Sequence, residues 1–416
     1  MAPGSGGTLF VSVPRPGGSV LALLDHSGRP RPGWPITVKG STECGLLSQL
    51  EDGSVRAVCT LENPAGNTFS PIGAFAFDST GRSLAGWPVD LGDHGVQGYS
   101  AGRMIGDELI VDAWATLGDA REAGIAWIMR VAADGAVRNG TKVPLVSCCD
   151  QRWAIGPDGV AYGSINQFGG APSAPKSAEL LAVGFAGPSA GFPIVIDGLA
   201  SEPSFDAAGR IHVTRATEVG GRARVFVFDP DGRAVGGSSD LGVRATDECA
   251  GIEGSCEVPA APLVGADGTT YVIEANNNGT IVAGVSPSGR VMAGWPYRSD
   301  AGPQGTGACP HGAACDSTNL AVPAIGPDNI LYLIHGAATA RVGGSLVAVG
   351  RDGRVMAGWP VELKRPGAEF WSVIVGSDGT AYALAIEPET GDSSSATILA
   401  IAPDSTVLYR TTIIDP

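Results

Sequence analysis

Six carboxylates stand out in this chain by their setting: Glu43, Asp150, Glu202, Glu257, Asp316 and Glu369. Each precedes a short apolar run that ends in a tight turn, and the same stretches carry Tyr99, Gln151, Arg152, Trp153 and Trp371. Hard carboxylate oxygens gathered in one place could hold Ca²⁺. Asp150, Glu202 and Glu369, with Arg152 beside them, are the candidates for acid–base cleavage of a glycoside, which needs two separated carboxyl groups. Exposed rings at Tyr99, Trp153 and Trp371 could stack on sugars. The plainer reading makes these acids solvated loop residues of an acidic protein.

What must position them is a repeat. The phrase GRVMAGWP occurs at Gly289–Pro296 and Gly353–Pro360, with GRSLAGWP at Gly81–Pro88 and GRPRPGWP at Gly28–Pro35. Around it lies an alternating apolar run, a polar turn with glycine and a short apolar tail. Degenerate copies such as ELLAVGFAGPSAGFPIVI and RVFVFDPDGRAVGGSSDL bring the total to eight. A second phrase, WAIGPDGVAYGS or VIVGSDGTAYAL, recurs between them. Asp-Gly tolerates the positive φ of a two-residue hairpin turn, so each unit reads as four short antiparallel strands, A-turn-B, loop, C-turn-D. No stretch keeps a 3.6-residue period, which predicts little or no helix.

Eight four-stranded units predict an all-β fold, an eight-bladed β-propeller with seven blades as the alternative. One blade cannot bury both faces alone, and stacking supplies the missing cover. The units run approximately 8–38, 44–91, 98–146, 149–197, 201–242, 258–299, 319–363 and 369–414 within a single domain, 1–416. The tryptophans of the phrase, Trp34, Trp87, Trp295 and Trp359, repeat with it and read as wedges between blades. The first unit lacks a visible strand A, so its blade has three strands or takes a fourth from elsewhere.

Composition agrees. With 62 glycines and 30 prolines spread along 416 residues, turns are frequent everywhere. Lys and Arg are outnumbered 27 to 42 by Asp and Glu, a net charge of −15, so a phosphate backbone would be repelled and nucleic acid is excluded as a natural partner. No apolar run is long enough to span a bilayer. The opening MAPGSGGTLF has no basic-then-apolar pattern and reads as a mature or trimmed start.

The Asp-Gly turns and Gly-Trp-Pro tails resemble the PQQ-like (quinoprotein-type) β-propeller repeat superfamily. The resemblance implies a propeller fold, and for its dehydrogenase members a bound PQQ. Those members carry an Ala-x-Asp-x-x-Thr-Gly docking core in most blades, and no stretch here matches it. Other members are scaffolds without enzyme activity, and fold alone does not choose between them.

The A–B and C–D turns are nearly all minimal, whereas long insertions fall only in B–C loops and D–A crossings, as in INQFGGAPSAPKSAE and RSDAGPQGTGACPHGAACDSTN. Insertions on one face mark the binding face of a repeat protein. Aligned on their turns, the A strands place Glu43, Tyr99, Asp150, Gln151, Arg152, Trp153, Glu202, Glu257, Asp316, Glu369 and Trp371 at the mouth of that face. The eight cysteines obey the same geometry. Cys44 and Cys59 come within a residue or two of cross-strand register, while Cys249–Cys256 and Cys309–Cys315 would staple crossings. Adjacent Cys148 and Cys149 form a vicinal ring, as methanol-dehydrogenase-like quinoproteins use against their cofactor, or pair elsewhere. Disulfides place the chain outside the cell or in the periplasm.

Histidines follow no pattern, and only His311, inside CPHGAAC, draws notice. No GxSxG elbow, phosphate loop or dinucleotide fingerprint occurs. Two readings follow. The first is a secreted or periplasmic binding propeller that recognises a protein or carbohydrate ligand through its long-loop face. The alternative is an enzyme at the mouth of the central channel, either a quinoprotein-like dehydrogenase or a carbohydrate-active hydrolase or lyase.

Overall fold

A computed structural model of the chain describes residues 1–63, 70–99, 101–116, 124–145, 151–167, 177–217, 221–243, 260–276, 279–300, 323–335, 343–388 and 394–414. The fold is an eight-bladed β-propeller built from eight antiparallel sheets. Blades 1 to 8 span 2–39, 41–90, 102–145, 151–197, 199–237, 263–299, 324–362 and 369–414. In each, strands A to D follow one another as neighbours in the sheet. No α-helix occurs among the described residues, only short 3₁₀ turns such as Gly92–His94. The first blade does have a strand A: Ala2–Pro3 pairs with Leu9 and Phe10. Two residues cannot display an alternation, which hid this strand from the sequence.

The chain falls into two compact units, Met1–Ile165 with Leu180–Pro193, and Asn166–Glu179 with Ile194–Pro416. In the first, cores form where blades stack; one gathers Val58, Ala74, Leu91, Leu109, Val111 and Trp127 from blades 2 and 3. In the second, Tyr332, Leu346, Trp359, Phe370, Val373 and Ala383 do the same for blades 7 and 8.

The turns differ in type from the expectation. Gly28 N–H donates to Asp25 O and Asp25 N–H to Arg29 O, both at 2.9 Å, which closes a three-residue loop. Only its glycine takes a positive φ, 78°. This turn, with its glycine bulge, matches the twist of the strands, and the aspartate serves as an acceptor. Asp25 Oδ1 accepts the N–H groups of Ser27 and Arg29 at 2.8 and 3.0 Å, and Asp78 repeats this with Thr80 and Arg82. The two-residue form with paired positive φ occurs at Asp328 and Asn329, at 59° and 58°.

The Gly-Trp-Pro phrase is a latch. In the first unit, Trp34 Nε1 donates to Ser79 O at 3.2 Å and Trp87 Nε1 to Ala133 O at 2.9 Å. In the second, Trp295 donates to Arg351 O at 2.9 Å and Trp359 to Pro403 O at 3.0 Å. Each acceptor lies in the C–D turn of the following blade. The glycine before each tryptophan permits the approach: a Cβ on Gly294 would stand 2.0 Å from Asp352 O. Each Trp-Pro bond is cis.

Candidate functional site

The turn end of the blades consumes its own chemistry. In the four blades that carry the phrase, the second residue of strand B, beneath the A–B turn, faces the phrase tryptophan. Phe10 meets Trp34 with ring centroids 5.8 Å apart, Tyr271 meets Trp295 at 5.1 Å, and Tyr332 meets Trp359 at 5.5 Å. In blade 2 the position holds Arg56, whose guanidinium lies 5.4 Å from the Trp87 ring, a cation over an aromatic face. Burial pulls that guanidinium below its ordinary range, and Asp52 and Asp107 oppose the shift.

In blade 5 the same position holds His212. Its Nδ1 is 2.9 Å from Thr270 Oγ1, and its Nε2 is 3.3 Å from Asp206 Oδ2. Arg210 Nε completes the group at 2.6 Å from Asp206. A hydroxyl, an imidazole and a carboxylate in a row have the order of nucleophilic machinery. Here Thr270 is 2% exposed and His212 1% exposed, and the threonine hydroxyl also donates to Gly268 O. No substrate reaches such a hydroxyl, so the row latches blade 5 to blade 6. Burial is the main cause holding His212 below the usual imidazole range; Asp206 pushes the other way. Sequence inspection missed this group, although alignment of the repeats puts His212 level with Tyr162, Tyr271 and Tyr332 and could have found it.

The loop end of the first unit is different. Cys44 and Cys59 are direct cross-strand partners, joined by a disulfide with Cα atoms 4.0 Å apart, which fixes the start of strand A to the end of strand B. Glu43, one residue before the bridge, is exposed. Tyr99 is half-buried, and its hydroxyl is pushed up to about 12, first by burial and then by the charge of Glu43. Glu43 and Tyr99 are therefore brought near each other. Trp153 is not an exposed ring. It is 4% exposed, packed with Ile110, Ile128 and Ile155, and seated over Gly163, its cross-strand partner. Gln151 and Arg152 open the strand Gln151–Ile155.

In the second unit, Glu202 lies between the two pieces of strand A in blade 5, Leu199–Ala200 and Ser204–Phe205, and is half-buried. Glu369 begins strand A of blade 8, Glu369–Val375, half-buried, with burial pushing its carboxyl above the ordinary range. Trp371 follows at a β-bulge, where pairing passes from Phe370–Ala385 to Ser372–Leu384 and skips it. A bulge bends the strand and re-aims the extra side chain. Trp371 is 59% exposed, whereas Phe370 beside it is buried.

Asp150, Glu257 and Asp316 lie outside the described residues, as do Cys148, Cys149, Cys249, Cys256, Cys309, Cys315 and His311. Among the described residues no group of three or more His, Cys, Asp or Glu is placed to hold a metal ion. No helix among the described residues is long and apolar enough to cross a membrane.

No protein-family model matches the chain, and comparison with curated proteins finds no relative in sequence. Solved structures do resemble it. Dipeptidyl peptidase 4 of Porphyromonas gingivalis aligns with a TM-score of 0.51 and 8% identity over 99% of this chain; the match spans 60% of that enzyme. The β-propeller domain of the Trilobed protease from Pyrococcus furiosus aligns with a TM-score of 0.49 and 8% identity, covering 89% of this chain and 95% of that one. At such identities the likeness concerns the fold alone.

Proposed function

We propose that the protein is a secreted or periplasmic binding propeller that recognises a protein or glycan ligand through the loop ends of its blades. One observation carries this reading. At the turn end, the repeated polar and aromatic groups are tied into bonds between blades, whereas strand A at the loop end presents Glu43 and Trp371 to solvent. Residues tied into latches hold the fold, and exposed rings and acids are what a partner can reach. The Cys44–Cys59 bridge supports an oxidising compartment. The acidic balance disfavours nucleic acid.

The test is a paired set of charge reversals screened on one array of glycans and secreted proteins. Glu43→Lys and Glu369→Lys alter the loop end; Arg354→Glu and Asp404→Lys alter the turn end. A ligand captured by the parent chain is expected to weaken at least tenfold with a loop-end change and to ignore the turn-end changes. A ligand with the reverse pattern overturns the reading.

A second reading, acid–base work on a glycoside, is supported by Glu369, which is half-buried at the start of strand A, with burial pushing its carboxyl above the ordinary range. Release of reducing sugar that Glu369→Gln abolishes, with binding retained, would establish it. Loss of binding together with turnover would place Glu369 in recognition instead.

A further inference from the structure

The crossing that leads into blade 8 is held at both ends. Leu363 N–H donates to Gly344 O, and Gly343 N–H to Leu363 O, each at 2.9 Å. Gly344 N–H donates to Ala368 O at 2.8 Å, and Ala368 N–H closes a turn onto Arg365 O at 3.1 Å. Leu363 and Ala368 are buried, at 2% and 0% exposure. Between these anchors Lys364, Arg365, Pro366 and Gly367 are exposed. Gly367, at φ 74°, lets the turn close.

Lys364 and Arg365 form the one adjacent pair of basic residues in a chain of net charge −15. Neither makes a salt bridge to the described residues, although Glu362 is exposed two residues earlier. Elsewhere in blade 8, Arg410 is already bonded to Glu387. A pinned backbone that presents two unpaired cations is preorganised for an anion.

Beyond the turn stand Glu369 and Trp371. Even a fully extended chain would put Arg365 and Trp371 within roughly 20 Å, and the turn shortens that. Trp371 is also isolated from other large exposed apolar residues among the described residues of blade 8. The other large exposed apolar residues of blade 8, Val407 and Leu408, lie on strand D, three strand spacings or roughly 14 Å across the sheet. A protein interface builds an apolar centre from several such residues. A lone indole face with polar groups on either side suits a pyranose ring, whose C–H face packs and whose hydroxyls bond outward.

We propose that Lys364, Arg365, Glu369 and Trp371 form a binding site for an anionic oligosaccharide, with the sugar ring on Trp371 and its carboxylate or sulfate on the cation pair. This rests on the loop-end reading above and names its ligand class. Glu369, half-buried two residues before the indole on the same strand, meets a sugar hydroxyl.

Calorimetric titration of the full chain tests it with three probes: an oligogalacturonate hexamer, a chondroitin sulfate hexasaccharide and neutral xylohexaose. The acidic probes separate carboxylate from sulfate as the anion. At least one is expected to bind tenfold or more tightly than xylohexaose, and less tightly as salt rises. Trp371→Ala should weaken that binding about tenfold, with Trp371→Phe restoring part of it. Lys364→Ala with Arg365→Ala should remove the preference for charge and flatten the salt dependence, while Arg354→Ala at the turn end changes nothing. The four substituted side chains, Lys364, Arg365, Trp371 and Arg354, are exposed, and an unchanged melting temperature confirms folding. Equal binding of neutral and acidic probes overturns anion recognition. Tight acidic binding that ignores Trp371→Ala overturns this placement. If neither acidic probe binds at millimolar concentration the inference falls, while the charge-reversal array still judges the loop-end reading by itself.

Discussion

Trp359 and Trp371 stand twelve residues apart and obey opposite rules. Trp359 is 7% exposed, packs edge-on against Tyr332, and gives its N–H to the next blade. Trp371 is 59% exposed and sits where the ladder skips a residue. The contrast extends to the two ends of the blades. At the turn end, even groups with catalytic credentials, such as His212 and Asp206, are spent on joining one blade to the next. At the loop end, Glu43 and Trp371 remain open to solvent. A repeat protein must stabilise its seams. The turn-end latches of Trp34, Trp87, His212, Trp295 and Trp359 do so here, whereas the loop end adds bonds such as Ser19 N–H to Ser41 Oγ and still leaves Glu43 and Trp371 exposed.

The contrast breaks most visibly if the two tryptophans are truncated. Trp359→Ala removes a buried ring and is expected to cost about 3–5 kcal/mol in urea unfolding. Trp371→Ala should stay within about 0.5 kcal/mol of the parent chain. Similar losses would dissolve the distinction.

A pH series sharpens it next. His335 is 3% exposed, stacked on Tyr297, and burial holds its imidazole down at about 4. Its Nε2 has no hydrogen-bond partner among the described residues. The folded state thus keeps this ring neutral, while the unfolded chain takes up a proton near pH 6.5. Its stabilisation is complete above pH 6.5 and drains away as the pH falls toward 4, by roughly 3 kcal/mol. Urea midpoints at pH 7 and pH 4.5 should differ accordingly, and His335→Phe should shrink the difference. The change would be absent if the ring were already protonated in the fold.

Gly294→Ala follows. Its φ of 89° and the 2.0 Å gap to Asp352 O leave no place for a methyl group. A loss of about 1–2 kcal/mol or more is expected in thermal unfolding. The smallest effect belongs to Glu369→Gln. Burial raises this carboxyl, so stability falls as the pH climbs from its unfolded to its folded value and stays lowered above both. Neutralising it should raise stability at pH 7 by a margin within about 0.5 kcal/mol. A gain there marks a carboxylate kept for something other than stability.

The repeat made the blade count, the strand order and the role of the phrase tryptophans legible, because the same physical need recurs in every blade. It misjudged the turns, where aspartate looked like a positive-φ residue and proved to be the acceptor that caps the loop. It could not see Ala2–Pro3 as a strand, since pairing there depends on a neighbour and not on a pattern. Trp153 and Trp371 looked alike in sequence. Their fates separated through local geometry: Gly163 opposite Trp153 makes a seat for the ring, whereas a bulge turns Trp371 outward. The Cys44–Cys59 pair was readable because strand register alone decides it.

Indole oxidation of the native chain by substoichiometric N-bromosuccinimide, mapped by peptide mass spectrometry, asks the central question directly. All eight tryptophans lie among the described residues. Trp371 should react first, with the fold and melting temperature intact, while Trp34, Trp87, Trp295 and Trp359 stay protected until the protein unfolds. Oxidation of those four at a rate matching Trp371 in the folded protein would contradict the division between a latched end and an open one.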